Sequence, residues 1–502
     1  MNGTDVVVGK DILELLSSAM YVDPLTVYRE YVQNAADALA ASVEAGLPPD
    51  PAEPQVAVTI DPGARTVRIR DTGAGVPADT FAARMTAIGA SPKRGTGARG
   101  FRGVGRLAGL AYCRELTFRS RAAAGEPVRE IRWDCAKLKS LLRSAEYAAG
   151  LPQFVADIVD LGEAADPARY PDRFFEVEMG GIIRHRNDAI LDAGTVSEYL
   201  SQVSPVPFSP EFTLGAKIDA FLRRHTAPGA IEIRVNGGEP LVRPHRDAFE
   251  ADDGKPDAFT DVEFKELPGQ DGGVAAVGWL LHHGYRGAIP SAALVKGLRF
   301  RSGDIQVGGH NLAEDLFPEP RFNSWTVGEV HVLDPRILPN GRRDNYEESV
   351  HLRNLRNHLS PVGRDIAKRC RTSSAKRKWL REFEFHETVA REKLAILAQG
   401  TLGEAARNAM VAEVERSIAP MAKIAAMEDL AAEAEARLRP KVEELRGELD
   451  TLADRSPAES PMARLPVEKR AMYEHLFELV YECAANRVAA KALVDRMMLK
   501  IL

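Results

Sequence analysis

Residues 28–39, YREYVQNAADAL, decide how this chain is read. The stretch holds no Gly or Pro, and Asp23-Pro24 ahead of it supplies an N-cap followed by Pro at the first helical position, so a helix is expected over 24–42. At 100° per residue, with Glu30 as zero, Asn34 falls at about +40° and Asp37 at about −20°. Leu25, Val32, Ala36 and Leu39 fall on the opposite side, at about 180–240°. Two acids and an amide therefore share one face of a helix whose other face is made for burial. On a lone helix a solvated polar face explains this as well as a site does, so the decision rests on the neighbouring segments.

Two segments bear on it. VAVTI (56–60) and TVRIR (66–70) flank the turn DPGA and read as a hairpin, and Asp71 ends its second strand in RDTGAGVP (70–77). Gly73 and Gly75 after it let the backbone turn sharply and approach a ligand, and a carboxylate there is an acceptor for an exocyclic amine. Next comes IGASPKRGTGARGFRGVGRLAGLAY (88–112), in which Gly100, Gly103 and Gly105 precede an apolar helix. Free amides at a helix N-terminus suit phosphate, and Lys93, Arg94, Arg99, Arg102 and Arg106 add positive charge. Each segment alone has a bland reading as a surface face, a strand-ending turn or a flexible loop.

In this order and spacing, E-x-x-x-N-A-x-D, D-x-G-x-G and a loop closing in G-x-x-G-V-G resemble the three nucleotide-binding boxes of the GHKL ATPases, which include gyrase, the MutL proteins, histidine kinases and the ninety-kilodalton heat-shock chaperones. The resemblance implies a Bergerat α/β sandwich that binds ATP with Mg²⁺. It implies that Glu30 orients and deprotonates the attacking water, that Asn34 ligates Mg²⁺ through its amide oxygen, and that Asp71 reads the adenine amine above Gly73 and Gly75. Gly100, Gly103, Val104 and Gly105 would cradle the phosphates with Lys93 in reach, Asp37 would support the motif, and Ser91 is a further pocket candidate.

Within the superfamily, no His stands among the residues before Glu30, which speaks against the histidine-kinase branch. VYREYVQNAADAL looks most like the heat-shock chaperone box, and residues 298–349 resemble the chaperone middle-domain stretch with a Trp, a strand, an L-P-x-N turn and an Arg soon after. That Arg reaches the γ-phosphate in the family, and Arg343 is the matching candidate, with Arg342 beside it. Three departures mark a divergent relative: a short 91–100 loop, RFFEVEM where a G-T pair is expected near 173–179, and a C-terminal region lacking the chaperones' terminal peptide motif.

The expected architecture is α/β: an ATP-binding domain over 1–190, a second α/β domain over 191–375, and a helical region over 376–502. The chain of 502 residues needs more than one domain, and 45% hydrophobic with 27% charged residues is ordinary for a soluble protein. Val442, Leu445, Leu449 and Leu452 form a short coiled-coil-like seam, which points to a homodimer. Cys113, Cys135, Cys370 and Cys483 include no C-x-x-C pair, and no leader or membrane span is read, so a cytoplasmic protein is expected. The net charge of −6 argues against a wholly basic nucleic-acid binder. Even so, RDIAKRCRTSSAKRKWLR (364–381), dense in Lys and Arg around Trp379, suits phosphates. The leading reading is an ATP-driven clamp acting on protein clients; the alternative is a MutL- or MORC-like ATPase acting on nucleic acid.

Overall fold

The hairpin read at 56–70 forms two adjacent strands of the first sheet in the computed structural model, which describes residues 23–47, 53–89, 103–147, 149–184, 187–226, 229–251 and 254–502. The chain divides into two compact units, the first ending at Lys368 and the second running from Arg369 to Leu502.

In the first unit β1 (Val56–Asp61) pairs antiparallel with β2 (Thr66–Asp71), in register from Val56↔Asp71 to Asp61↔Thr66. With β3 (Glu115–Arg121), β4 (Arg129–Asp134), β5 (Val159–Glu163), β6 (Phe174–Gly180) and β7 (Ile233–Val235) they form a sheet of order β5-β4-β3-β6-β2-β1-β7. Only the β1–β7 pair is parallel. Side-chain alternation along β2 sends Val67, Ile69 and Asp71 to the buried face and Arg68 and Arg70 to the other. On that outer face Glu176 of β6 lies between Arg70, at 2.7 Å, and Arg119, at 3.0 Å. The buried face carries α1 (Thr26–Glu44), whose Val27, Tyr31, Val32 and Leu39 share one apolar core with Val58, Ile69 and Leu116.

That core also takes in Val196 and Leu200 of the helix Ala193–Val203, and Ile233 of β7. It thus continues beyond residue 190, where the sequence pattern restarts. The segment IEIRV, read as a strand of the second domain, instead completes the first sheet. A strand of three residues carries too little pattern to reveal its partner; the register Val56↔Ile233 decides it.

A small hairpin, β8 (Ala248–Glu250) with β9 (Pro256–Ala258), precedes a second sheet. This is built from β10 (Asp261–Pro268), β11 (Val274–His282), β12 (Gly297–Ser302), β13 (Ile305–Val307) and β14 (Val327–Val332), in the order β10-β11-β14-β12-β13. Its β12 and β14 run parallel, so that Arg299 stands beside Glu329 and Arg301 beside His331. Glu329 is 1% exposed and accepts from Arg243 Nη1 at 2.6 Å and Arg301 Nε at 2.7 Å. The same guanidiniums donate to the carbonyls of Gln202 and Val206, just where the helix Ala193–Val203 ends. Burial opposes the ionisation of Glu329, yet Arg243 and Arg301 hold its carboxyl well below the usual carboxylate range.

The helical region begins earlier than the composition shift at 376 suggests. One helix spans Val350–Gln399, because Leu352, Leu355, Leu359 and Ile366 already recur at helical spacing and are buried. In the second unit, Val442, Leu445 and Leu449 of the helix Arg439–Ala453 pack with Leu394, Val414 and Ile418 in one cluster, so the seam closes within the chain. The last helix read from 467 is two, Val467–Cys483 and Arg487–Ile501, the second capped by Asn486 Oδ1 accepting from Val488 and Ala489 amides.

His245 packs edge-on against Phe208 and Trp279 in the second sheet's core. Burial pushes its imidazole down to about 3, with Glu329 opposing and three arginines assisting. From pH 6.5 down to about 3 the unfolded chain binds a proton at His245 that the folded chain refuses, so stability falls as pH falls through this window and is fully present above it. Replacing His245 with Phe should flatten the fall in melting temperature between pH 7 and pH 5; an unchanged slope in a thermal-denaturation series counts against this assignment.

Candidate functional site

Both faces of α1 are buried. Glu30 is 6% exposed and Asp37 7%, and among the three polar groups only Asn34 is half-buried. The polar face is therefore no wet surface: it looks into the interior opposite the sheet. Tyr31, on the same helix, ties α1 to the following Gly-rich segment, donating to Arg106 O at 3.2 Å and accepting from Gly109 N at 2.9 Å.

That segment starts a short helix at Gly105–Ala111. A Cβ on Gly105 would crowd Glu30 Oε2, so any other residue there must push the end of the Glu30 side chain aside. Gly103 turns with φ of 70°, and Val104 lies between the two glycines. Structure thereby joins the first and third sequence motifs at one point. Ser91, Lys93 and Gly100 lie outside the described residues, as do Arg94, Arg99 and Arg102.

Asp71 ends β2 on the inward face, 4% exposed, and accepts from Gly73 N at 3.0 Å. Gly73 is pressed against α1, where a Cβ would meet Ala38 at 2.7 Å; Gly75 turns with φ of 64° beside Arg121. These glycines fasten the strand end to its neighbours and so fix where Asp71 points. On β6, where the G-T pair is lacking, half-buried Phe175 is the cross-strand neighbour of Asp71.

Arg343 comes from the second sheet's far end. Its loop closes on Asn340, whose side chain donates to Asp344 Oδ1 at 2.6 Å and accepts from Asp344 N. Arg343 sits in the left-handed region, φ 55°, a conformation that costs a non-glycine residue and recurs at functional sites. Its Nε is 3.6 Å from Glu30 Oε1, with both side chains nearly buried. Arg29 secures the arrangement: its Nη1 donates to Arg343 O at 3.3 Å and its Nη2 to Arg342 O at 3.0 Å. Sequence reasoning passed over Arg29; the available signal was a cation directly before Glu30 on a helix otherwise patterned for burial.

The residues present fit a nucleotide. Thr72 Oγ1, next to Asp71, is buried without a hydrogen-bond partner among the described residues, and so are Nε and Nη2 of Arg106 beside Gly105. Burial pushes the Arg106 guanidinium down to about 10. Unpartnered buried groups of this kind are costly unless a ligand satisfies them. A purine and a polyphosphate supply what each lacks. Among the described residues no three or more of His, Cys, Asp and Glu gather into a metal site.

The basic stretch 364–381 is part of the Val350–Gln399 helix. Arg369, Arg371, Lys378 and Arg381 are exposed, whereas half-buried Trp379 packs against the helical core. Among the described residues no helix is long and apolar enough to cross a membrane.

Residues 23–148 match the family model described as histidine kinase-, DNA gyrase B-, and HSP90-like ATPase. The match begins just before α1 and includes Glu30, Asn34, Asp71 and Gly105, and it supports a GHKL-type, ATP-binding domain over those residues. No curated protein matches the chain.

Gly105→Ala tests the close approach directly. The added methyl must displace the Glu30 carboxylate, at a strain of about 1–3 kcal/mol. Turnover should drop more than about tenfold while the far-ultraviolet spectrum stays that of the parent. Full activity in Gly105→Ala means that Glu30 is not confined there.

Proposed function

We propose that the chain is a Mg²⁺-dependent ATPase working as an ATP-driven conformational clamp of the heat-shock chaperone type. The observation that carries this reading is the Glu30–Arg343 contact, a carboxylate on α1 and a guanidinium on the loop after β14 meeting at 3.6 Å beside Gly105. A contact of that length is an ion pair without a full hydrogen bond. In the proposed reaction Asp71 accepts from the adenine amine, and the amides near Gly103 and Gly105 receive the phosphates. Arg343 turns to the γ-phosphate and stabilises the charge that develops there, which frees Glu30 to take the proton of the attacking water. Bound Mg²⁺, held through Asn34, would supply charge neutralisation on the phosphates. Because Arg343 lies on the loop that leaves β14 of the second sheet, hydrolysis and the position of that sheet are coupled.

Glu30→Ala should keep nucleotide binding within a few-fold and lose turnover by about a hundredfold or more. Arg343→Ala should lose turnover with little change in ADP affinity. Wild-type hydrolysis by Glu30→Ala would remove the base assignment.

The clamp reading includes a homodimer and protein clients. With the 442–449 seam closed within the chain, the candidate dimer surface is Met472, Leu476 and Leu479, which are exposed at helical spacing on one helix. The exposed cations of 369–381 favour a second reading, an ATPase acting on nucleic acid. Three assays on the full chain separate the two. Clamp action predicts suppressed aggregation of a model client and a dimer by sedimentation with a non-hydrolysable ATP analogue. DNA binding that weakens with salt, responds to ATP and is lost on neutralising Lys376, Arg377 and Lys378 favours the second reading and sinks the first.

A further inference from the structure

Away from Asp71 and Gly105, the first unit contains a cavity of ≈ 290 Å³ where the start of α1, the helix Ala193–Val203, β12, β13 and the Arg343 loop meet. Its lining includes Arg29, Arg299, Arg342 and His310, with Asp23 and Asp344 as the acids. The charges do not cancel locally. Asp344 pairs with Arg342 at 3.0 Å, and Asp23 accepts from the Leu25 amide at 3.0 Å.

Beside the Arg342–Asp344 pair, Arg29 and Arg299 face the single carboxylate of Asp23. Arg299 is 5% exposed, yet its guanidinium donates only to neutral oxygens: Gln306 Oε1 at 3.2 Å, Gln202 Oε1 at 3.1 Å and the carbonyls of Leu294 and Lys296. Among the described residues no carboxylate lies within 4.0 Å of it, because the nearby Glu329 is taken by Arg243 and Arg301. Arg29 is likewise 5% exposed. It donates to main-chain carbonyls, stands 3.9 Å from a Glu30 that also faces Arg343, and has no hydrogen-bond partner at Nε among the described residues. Burial lowers the imidazole of His310, with Lys296 and Arg299 assisting and Glu314 opposing. Buried cations whose nearest carboxylates are shared with other arginines are unfavourable, and guanidiniums match oxyanions in geometry as well as charge.

We infer that this cavity is a second anion site, which takes a small oxyanion of the phosphate class, as the free ion or as a compact phosphate ester, between Arg29 and Arg299. Its volume is near the lower end of the roughly 300–1,000 Å³ of small-molecule sites, which suits such a ligand better than a whole nucleotide. The anion adds counter-charge at the joint between the two sheets, beside the loop that carries Arg343. The site is thus placed to tune the ATPase without occupying its nucleotide pocket.

Calorimetric titration of the full chain with inorganic phosphate, and separately with glycerol 3-phosphate, in the presence of saturating ADP tests this. Binding is expected with ADP present, and the tighter of the two probes tells ester from free ion. Arg299→Gln should weaken it about tenfold or more. Since Arg299 is buried and that variant is at risk of misfolding, His310→Glu, which puts a negative charge on the cavity wall, should abolish binding as well. No phosphate heat in the ADP-saturated chain, or unchanged affinity in a folded variant, overturns the proposal. If ADP itself does not bind, the nucleotide reading fails and the phosphate titration still decides this one.

Discussion

Glu30 and Arg343 are brought together by two separately built supports, and most of the first unit serves to hold one or the other. Glu30 is fixed by α1, which packs its apolar side on the first sheet and its polar side against the Gly-rich segment, where the missing Cβ of Gly105 leaves space for the carboxylate. Arg343 is fixed by a loop cinched on Asn340 and by Arg29 reaching from α1 to the loop's own carbonyls. The left-handed backbone at Arg343 is tolerated because both contacts over-determine it. Charge attraction across 3.6 Å then links two sheets that share no strand.

The buried ionic cluster of the second sheet does a related task. Arg243 and Arg301 close on Glu329 from two sides and spend their remaining donors on carbonyls where the helix Ala193–Val203 ends. That helix packs in the core under α1, so the second sheet is tied to the first at its helix layer as well as at Arg343. Losing one partner would strand a charge in the interior, which makes such a joint stiff and specific more than it makes it stable. A stiff joint suits the proposed coupling, since displacement of Arg343 toward a phosphate is felt by the sheet that carries it.

The hairpin 56–70, its strand-ending Asp71 and the helix bearing Glu30 were legible because each depends on short-range pattern: period-two alternation, a Pro-led helix start, three polar residues on one helical face. The destination of IEIRV was not legible, because three residues of alternation suit either sheet and only pairing with β1 discriminates. The seam at 442–449 was legible as apolar spacing but not as to its partner, which turned out to be the chain's own helices. Trp379 looked available among lysines and arginines, while the helix phase turns it to the core.

By itself the sequence determined the local chemistry: which residues are acids, amides and glycines, at what spacing, and on which face of a helix or strand. Only the tertiary structure decided that the polar face of α1 is enclosed, that Gly105 stands against Glu30, and that Arg29 holds the Arg343 loop. Local periodicity fixes the direction in which a side chain points. Enclosure, ion contacts and unmet charge depend on what the rest of the chain brings to that direction, and distant segments leave no periodic trace of where they will meet.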